Sequence, residues 1–160
     1  MHRSNDVWLD YRGFKYFRWM PIRFHPKYGT LVLVDFNTGF IPPEMGKRRP
    51  AIVISRPMKG RPGLCTIVPL STQAPAPQMN FHMPLVLPEE WPSDLLRYDS
   101  WVKADMITAV SFGRIDLLRA GRSADGRRIY FDKPLPQQTM RDVTKCVLHG
   151  LSLSTLTEFV

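Results

Sequence analysis

Leu31-Val32-Leu33-Val34-Asp35-Phe36, followed at once by Asn37-Thr38-Gly39, sets the class of the fold. A short run of valine, leucine and phenylalanine closed by an Asn/Gly turn signal reads as a β-strand and its exit. The same grammar recurs downstream. Residues 51–55 and 66–70 are short apolar runs, and Pro57, Gly60, Pro62 and Gly63 break the chain between them. Residues 81–87 read as a further strand, and Pro84 places it at a sheet edge because proline cannot donate to a ladder. Residues 101–105, 107–111 and 127–131 complete the set. Between these runs, residues 41–49 hold Pro42-Pro43 and Gly46, and residues 74–78 hold two prolines, so both are loops. Residues 88–99 read as irregular with one helical turn, and residues 114–117 as a short helix. Many short strands with turn signals between them predict a small barrel or sandwich.

One segment has helical period. Met140, Val143, Val147, Leu148 and Leu151 fall on one face, Pro136 suits the first turn, and Gly150 suits a C-terminal cap. At the other end, Trp8, Tyr11, Phe14, Tyr16, Phe17, Trp19 and Phe24 alternate irregularly with Arg3, Arg12, Lys15, Arg18, Arg23 and Lys27. Such an arm suits base stacking and phosphate contact. It suits packing against the strands equally well, and so many large rings favour the second reading. Residues 1–27 are therefore set apart as an extension, and residues 28–160 as the domain.

At 160 residues the chain is long enough for one domain with a real core and short for two. The net charge is +8, of which residues 1–28 carry +4 and residues 119–160 carry +3, so the middle is nearly neutral. That balance points to a polyanionic partner, or to solubility alone. Cys65 and Cys146 each sit in an apolar run and read as small buried residues in a reducing, cytoplasmic setting. No apolar run approaches the ~20 residues of a membrane span, and no secretory leader is visible. His2, His25, His82 and His149 have no metal-ligand spacing, so neither metal nor cofactor is expected.

Three segments, in order, resemble the PemK/MazF toxin family. Residues 28–36 look like its opening strand and lead into Glu44-Met45-Gly46-Lys47-Arg48-Arg49-Pro50-Ala51-Ile52-Val53-Ile54-Ser55. Thr66-Ile67-Val68-Pro69-Leu70-Ser71-Thr72-Gln73 is similar to a strand that ends in catalytic hydroxyls. Ser100-Trp101-Val102-Lys103-Ala104-Asp105-Met106-Ile107, running on through Arg114-Ile115, resembles the late strand pair. The chain departs from the family at Met106, where glutamine is common, and at Pro43, where a small polar residue is common. The resemblance implies a mostly β fold, a small antiparallel SH3-like barrel of the PemK/MazF/CcdB kind, with a C-terminal helix. It further implies a cytoplasmic toxin of a type II toxin–antitoxin system that cuts single-stranded RNA without a metal. Partners would be a second copy of the chain and an antitoxin whose acidic segment fills the RNA grooves.

The residues suit that chemistry. RNA cleaves itself when a 2′-hydroxyl attacks the adjacent phosphorus, given a base, a cation for the developing charge and a donor for the leaving oxygen. Arg49 offers a planar fork of donors for phosphate, and its high pKa assigns it to charge stabilisation. Thr72 and Ser71 can hydrogen-bond a non-bridging oxygen. Glu44 is the carboxylate nearest in sequence. Lys103 and Asp105, two apart on an expected strand, share a face and add a second cation and carboxylate. Lys47, Arg48 and Gln73 flank these positions as RNA contacts. His82 is left out as a structural histidine. Two other functions fit the same barrel: a topoisomerase poison with no catalytic centre, and a nucleic-acid-binding module that has lost turnover.

Overall fold

The computed structural model describes residues 7–9, 15–17, 22–96 and 98–160. Among the described residues, ten strands precede one α-helix: β1 (Val7–Leu9), β2 (Lys15–Phe17), β3 (Leu31–Asp35), β4 (Arg48–Val53), β5 (Leu64–Ser71), β6 (His82–Leu85), β7 (Ser100–Lys103), β8 (Thr108–Ser111), β9 (Ile115–Arg122), β10 (Arg128–Phe131) and α1 (Gln137–Gly150). β1 and β2 form a separate antiparallel hairpin with Trp8 opposite Tyr16 in register. Whether the rings of this arm pack or stack lies outside the described residues. The remaining strands form one sheet in the order β10-β9-β3-β4-β5-β7-β6, with β8 also on β5, and every pairing is antiparallel.

β5 is the pivot. Its first half pairs with β8, its end with β7, and its middle with β4 on the other side. A strand so placed is screened from water on both faces, which is why it carries an apolar run rather than strict alternation. Side chains of β3, β4 and β5 alternate between two cores. Leu31, Ile52, Val68, Leu70 and Val102 pack under α1 through Met140, Val143, Cys146 and Val147. Val32, Val34, Ala51, Val53, Cys65 and Ile67 pack on the other face with Phe36, Val110 and Ile115. Full burial of each large aliphatic side chain stabilises by about 1.5–3 kcal/mol, so these two layers hold the sheet that carries the functional loops. Both cysteines are free thiols and buried; burial pushes the Cys65 thiol up to about 11, partly offset by its hydrogen bond with Ser55.

The mostly antiparallel sheet and C-terminal helix are as expected. Several finer expectations are corrected. The sheet is an open path rather than a closed barrel: β6 and β10 are its ends and do not pair with each other. Pro84 lies in the edge strand β6, as expected, although that strand is shorter, at His82–Leu85, and the β9–β10 ladder shifts register between Arg128 and Tyr130. Residues 114–117 are not a helix. After a single 3-10 turn at Phe112–Arg114 the chain enters β9, which pairs with β3 on one side and β10 on the other. Long-range ladder bonds override the weak local preference there. Residues 101–105 are not all strand: β7 ends at Lys103 and Asp105 sits in a 3-10 turn, Ala104–Met106. Lys103 and Asp105 therefore do not share a strand face. In α1 the buried stripe includes Cys146, while Leu151 is exposed. Gly150 is the last helical residue rather than a left-handed cap; the positive φ falls on Ser152, at 61°. Glycine is needed at 150 for closeness, because a Cβ there would lie 3.1 Å from the Ala104 carbonyl oxygen.

Candidate active site

The sheet brings the basic and hydroxyl residues to one rim. β4 begins at Arg48, and its ladder with β5 pairs Ala51 with Pro69 and Ile52 with Val68. The paired register ends there: Arg49 and Arg48 lie two and three residues beyond it on β4, and Ser71 and Thr72 two and three beyond it on the β5 side. Arg49 is half-buried, and its Nε donates to the Gly46 carbonyl at 3.0 Å, which aims the rest of the guanidinium.

β5 ends at Ser71 for a local reason. The Ser71 hydroxyl oxygen accepts from the Gln73 backbone N–H at 3.1 Å, a Ser turn that diverts the chain from the ladder. The hydroxyl proton remains available to donate. Ser71 is 8% exposed, whereas Thr72 and Gln73 stand in solvent. Arg48, Arg49 and Thr72 line a pocket of about 280 Å³ with Leu96, Tyr98 and Ser100.

The two carboxylates fall elsewhere. Glu44 and Asp105 line a second groove, about 480 Å³, walled by Phe36, Phe40, Met45 and Met106. Glu44 Oε2 accepts from the Ile41 N–H at 2.6 Å, leaving Oε1 open. The loop that carries Glu44 is pinned at its base. Phe36 N donates to the Lys47 carbonyl at 2.9 Å, and Arg114 Nη1 donates to the carbonyls of Asp35 and Thr38 at 3.1 and 2.7 Å, with its guanidinium over the Phe40 ring. Lys47 holds a φ of 68°, an uncommon left-handed value for a lysine, so its backbone serves the turn.

Asp105 has a partner that its place in the sequence does not suggest. His82 Nε2 stands 3.4 Å from Asp105 Oδ1, and Met79 N–H donates to His82 Nδ1 at 3.3 Å. With Nδ1 accepting, the neutral ring carries its proton on Nε2 and donates it to the carboxylate. The His82 side chain is 9% exposed. Its pKa is lowered by burial first and then by the Lys103 ammonium, which lies opposite it across β6 and β7; Asp105 opposes both. His82 opens a strand beside a proline-rich loop, and nothing in its local sequence marks its partner twenty-three residues on. Among the described residues, no group of three or more His, Cys, Asp or Glu side chains could hold a metal ion.

Residues 27–150 match the model of the PemK-like, MazF-like toxin of type II toxin–antitoxin systems. The chain belongs to this family. YifN of Escherichia coli (strain K12), an uncharacterized protein, is 27% identical over 155 residues, which is 86% of this chain and 99% of YifN. MazF (Form-I) from Deinococcus radiodurans superposes with a TM-score of 0.51 at 21% identity, covering 81% of this chain and 98% of that one. A mycobacterial endoribonuclease in complex with its cognate antitoxin superposes at 0.50 with 18% identity, covering 80% and 96%. At these identities the structural likeness shows the toxin fold alone. The family match spans both β4 and β5, so the rim with Arg49, Ser71 and Thr72 lies within the toxin domain. Among the described residues no helix is long and apolar enough to cross a membrane.

Proposed function

We propose that this toxin is a metal-independent endoribonuclease that cuts single-stranded RNA to 2′,3′-cyclic phosphate and 5′-hydroxyl ends. The observation that supports it most is the pocket at the outer ends of β4 and β5, where the Arg49 guanidinium and the exposed Thr72 hydroxyl line one space. Arg49 binds the scissile phosphate and stabilises the charge of the phosphorane. The Thr72 hydroxyl, exposed in the pocket that Arg49 lines, donates to a non-bridging oxygen. Arg48 binds the adjoining backbone, with Lys47, Lys103 and Gln73 as further contacts, and the Ser71 oxygen, held by Gln73, fixes the turn beneath them. Glu44, whose Oε1 is open, is assigned to take the 2′-hydroxyl proton; it lines the second groove, so the RNA would have to run from that groove to the rim that carries Arg49. The 2′-oxygen then bonds to phosphorus and the P–O5′ bond breaks. The leaving oxygen takes a proton from solvent, because a guanidinium with pKa above ~12 does not release one at neutral pH. Asp105 is assigned to holding His82 rather than to the chemistry.

The protein acts as a homodimer, and a cognate antitoxin blocks the rim. The mycobacterial relative found with its antitoxin supports the second point. Incubating the purified protein with single-stranded RNA in excess EDTA, and analysing the ends, tests this reading against a non-catalytic RNA binder and a topoisomerase poison. RNA bound but uncut would favour the former, and inhibited topoisomerase without RNA cleavage the latter.

A further inference from the structure

We propose that the solvent face of the β9–β10 hairpin is a second RNA-binding surface, which holds the single strand beyond the cut by its phosphates on Arg119, Arg122 and Arg128 and by a base against Tyr130. This inference rests on the endoribonuclease reading and adds a contact surface away from the rim. β3 pairs with β9 only over residues 115–117, so the outer half of β9 has β10 as its ladder partner, and β10 is an end of the sheet. In that ladder Arg122 stands opposite Arg128, and Arg119 opposite Tyr130. Two steps along β10 thus match three along β9, which places the extra residue of a bulge in β9, where Gly121 takes a φ of 107°. Paired residues share a face, and so do Arg128 and Tyr130, two apart on β10. The bulge therefore brings Arg119, Arg122, Arg128 and Tyr130 onto one face, while Leu118 and Phe131 turn into the core.

The charge on that face is not neutralised. All four residues are exposed. Among the described residues the three arginines form no salt bridge: Asp125 in the turn pairs with Arg127 at 3.0 Å, and Asp132 pairs with Lys27 at 3.5 Å. Arg122 is tied through Nη1, which donates to the Gly126 carbonyl at 3.1 Å and leaves its other donors open. Like charges directly opposite on a ladder are destabilising, so the Arg122–Arg128 pair is a cost in the free protein that a polyanion would relieve. The same repulsion disfavours a second copy of this chain as the occupant. Guanidiniums suit phosphate, and a ring beside them suits a base. The rim lies at the other end of the strand: Arg49 pairs with Val34, and Val34 with Ile115. Arg122 is seven residues further along β9, roughly 23 Å for an extended strand. RNA on the hairpin is therefore a segment flanking the cut rather than the nucleotides at it.

The test is binding of a fluorescent 2′-O-methyl RNA pool of random sequence across a range of salt. The pool is long enough to span rim and hairpin, and it stays intact because it lacks the attacking hydroxyl. The protein with Arg119→Gln, Arg122→Gln and Arg128→Gln together should show a slope of log K against log salt smaller by about 2, at about 0.7 for each phosphate released. Tyr130→Ala should keep the slope and bind about 5–150-fold more weakly at one salt concentration. A wild-type slope in the triple variant, the result expected if an acidic protein is the occupant instead, would overturn the proposal. So would wild-type affinity in Tyr130→Ala. If the triple variant does not fold, Arg128→Gln alone decides, with a slope smaller by about 0.7 in support and an unchanged slope against. If the wild type binds the pool but cuts nothing when the 2′-hydroxyls are restored, the endoribonuclease reading fails, and the slope comparison still decides the hairpin.

Discussion

Arg49 and Thr72 carry the central chemical claim, and single substitutions separate their roles. Arg49→Ala should lower the cleavage rate by about 10²–10³, the usual cost of one preorganised charge donor. Its melting temperature should barely move, since a half-buried rim residue contributes about 0.5 kcal/mol or less. Thr72→Ala should cost far more activity than Ser71→Ala, because Thr72 is exposed and shares a pocket with Arg49, whereas Ser71 is buried. Equal effects would break the assignment made from the pocket. The choice between these neighbouring hydroxyls was not legible in the sequence: Ser71-Thr72 names two candidates, and only the fold shows which one lines the space beside the guanidinium. His82 yields a prediction of a different kind. Its pKa lies below the ordinary value of about 6.5, so the unfolded chain binds the proton more readily than the folded one. The stability contributed by the neutral ring is complete above about pH 6.5 and is lost as the pH falls below it. Thermal melts between pH 5 and 7.5 should show a decline on the acid side that His82→Gln flattens. An identical acid decline in the variant would remove His82 as its source.

At the scale of elements, the short strands were readable because each is an apolar run bounded by proline, glycine or asparagine. The failures share a cause. Ile115-Asp116-Leu117-Leu118 has no strand alternation of its own, and becomes β9 because β3 and β10 flank it. Trp91 and Leu95 lie in an irregular stretch, yet two turns bury both side chains against α1 and its neighbours. Asp105 left the strand for a 3-10 turn because α1 comes down upon it. That approach is testable. In Gly150→Ala the new Cβ would meet the Ala104 carbonyl carbon and the Asp105 amide nitrogen, each at 3.2 Å, with backbone on both sides unable to yield cheaply. Overpacking of this kind costs about 1–3 kcal/mol. The melting temperature should fall by about 2–12 °C, even though alanine is the better helix former. An unchanged or higher value would show that the turn and helix separate without cost.

Over the whole molecule, positive charge gathers at the chain ends, while the rim carrying Arg48 and Arg49 belongs to the nearly neutral middle. A protein beginning at Pro26 tests what the front end contributes. Ile22 is buried in the second core and donates its N–H to the Ile115 carbonyl at 3.3 Å, and His25 lies against Ser55 and Phe112. Truncation should therefore lower the melting temperature by several degrees. For every phosphate that the arm would otherwise neutralise, truncation should reduce the slope of log K against log salt by about 0.7. A lower slope with unchanged melting would reverse the preference for packing. Light scattering on both proteins at tens of micromolar should report a dimer, and a monomer would contradict the proposed assembly. The most direct test of the toxin's proposed chemistry is cleavage of single-stranded RNA in excess EDTA with identification of the ends. Cuts leaving 2′,3′-cyclic phosphate and 5′-hydroxyl, absent with Arg49→Ala, are the predicted result. Intact RNA, or cleavage that returns only when Mg²⁺ is restored, would contradict it.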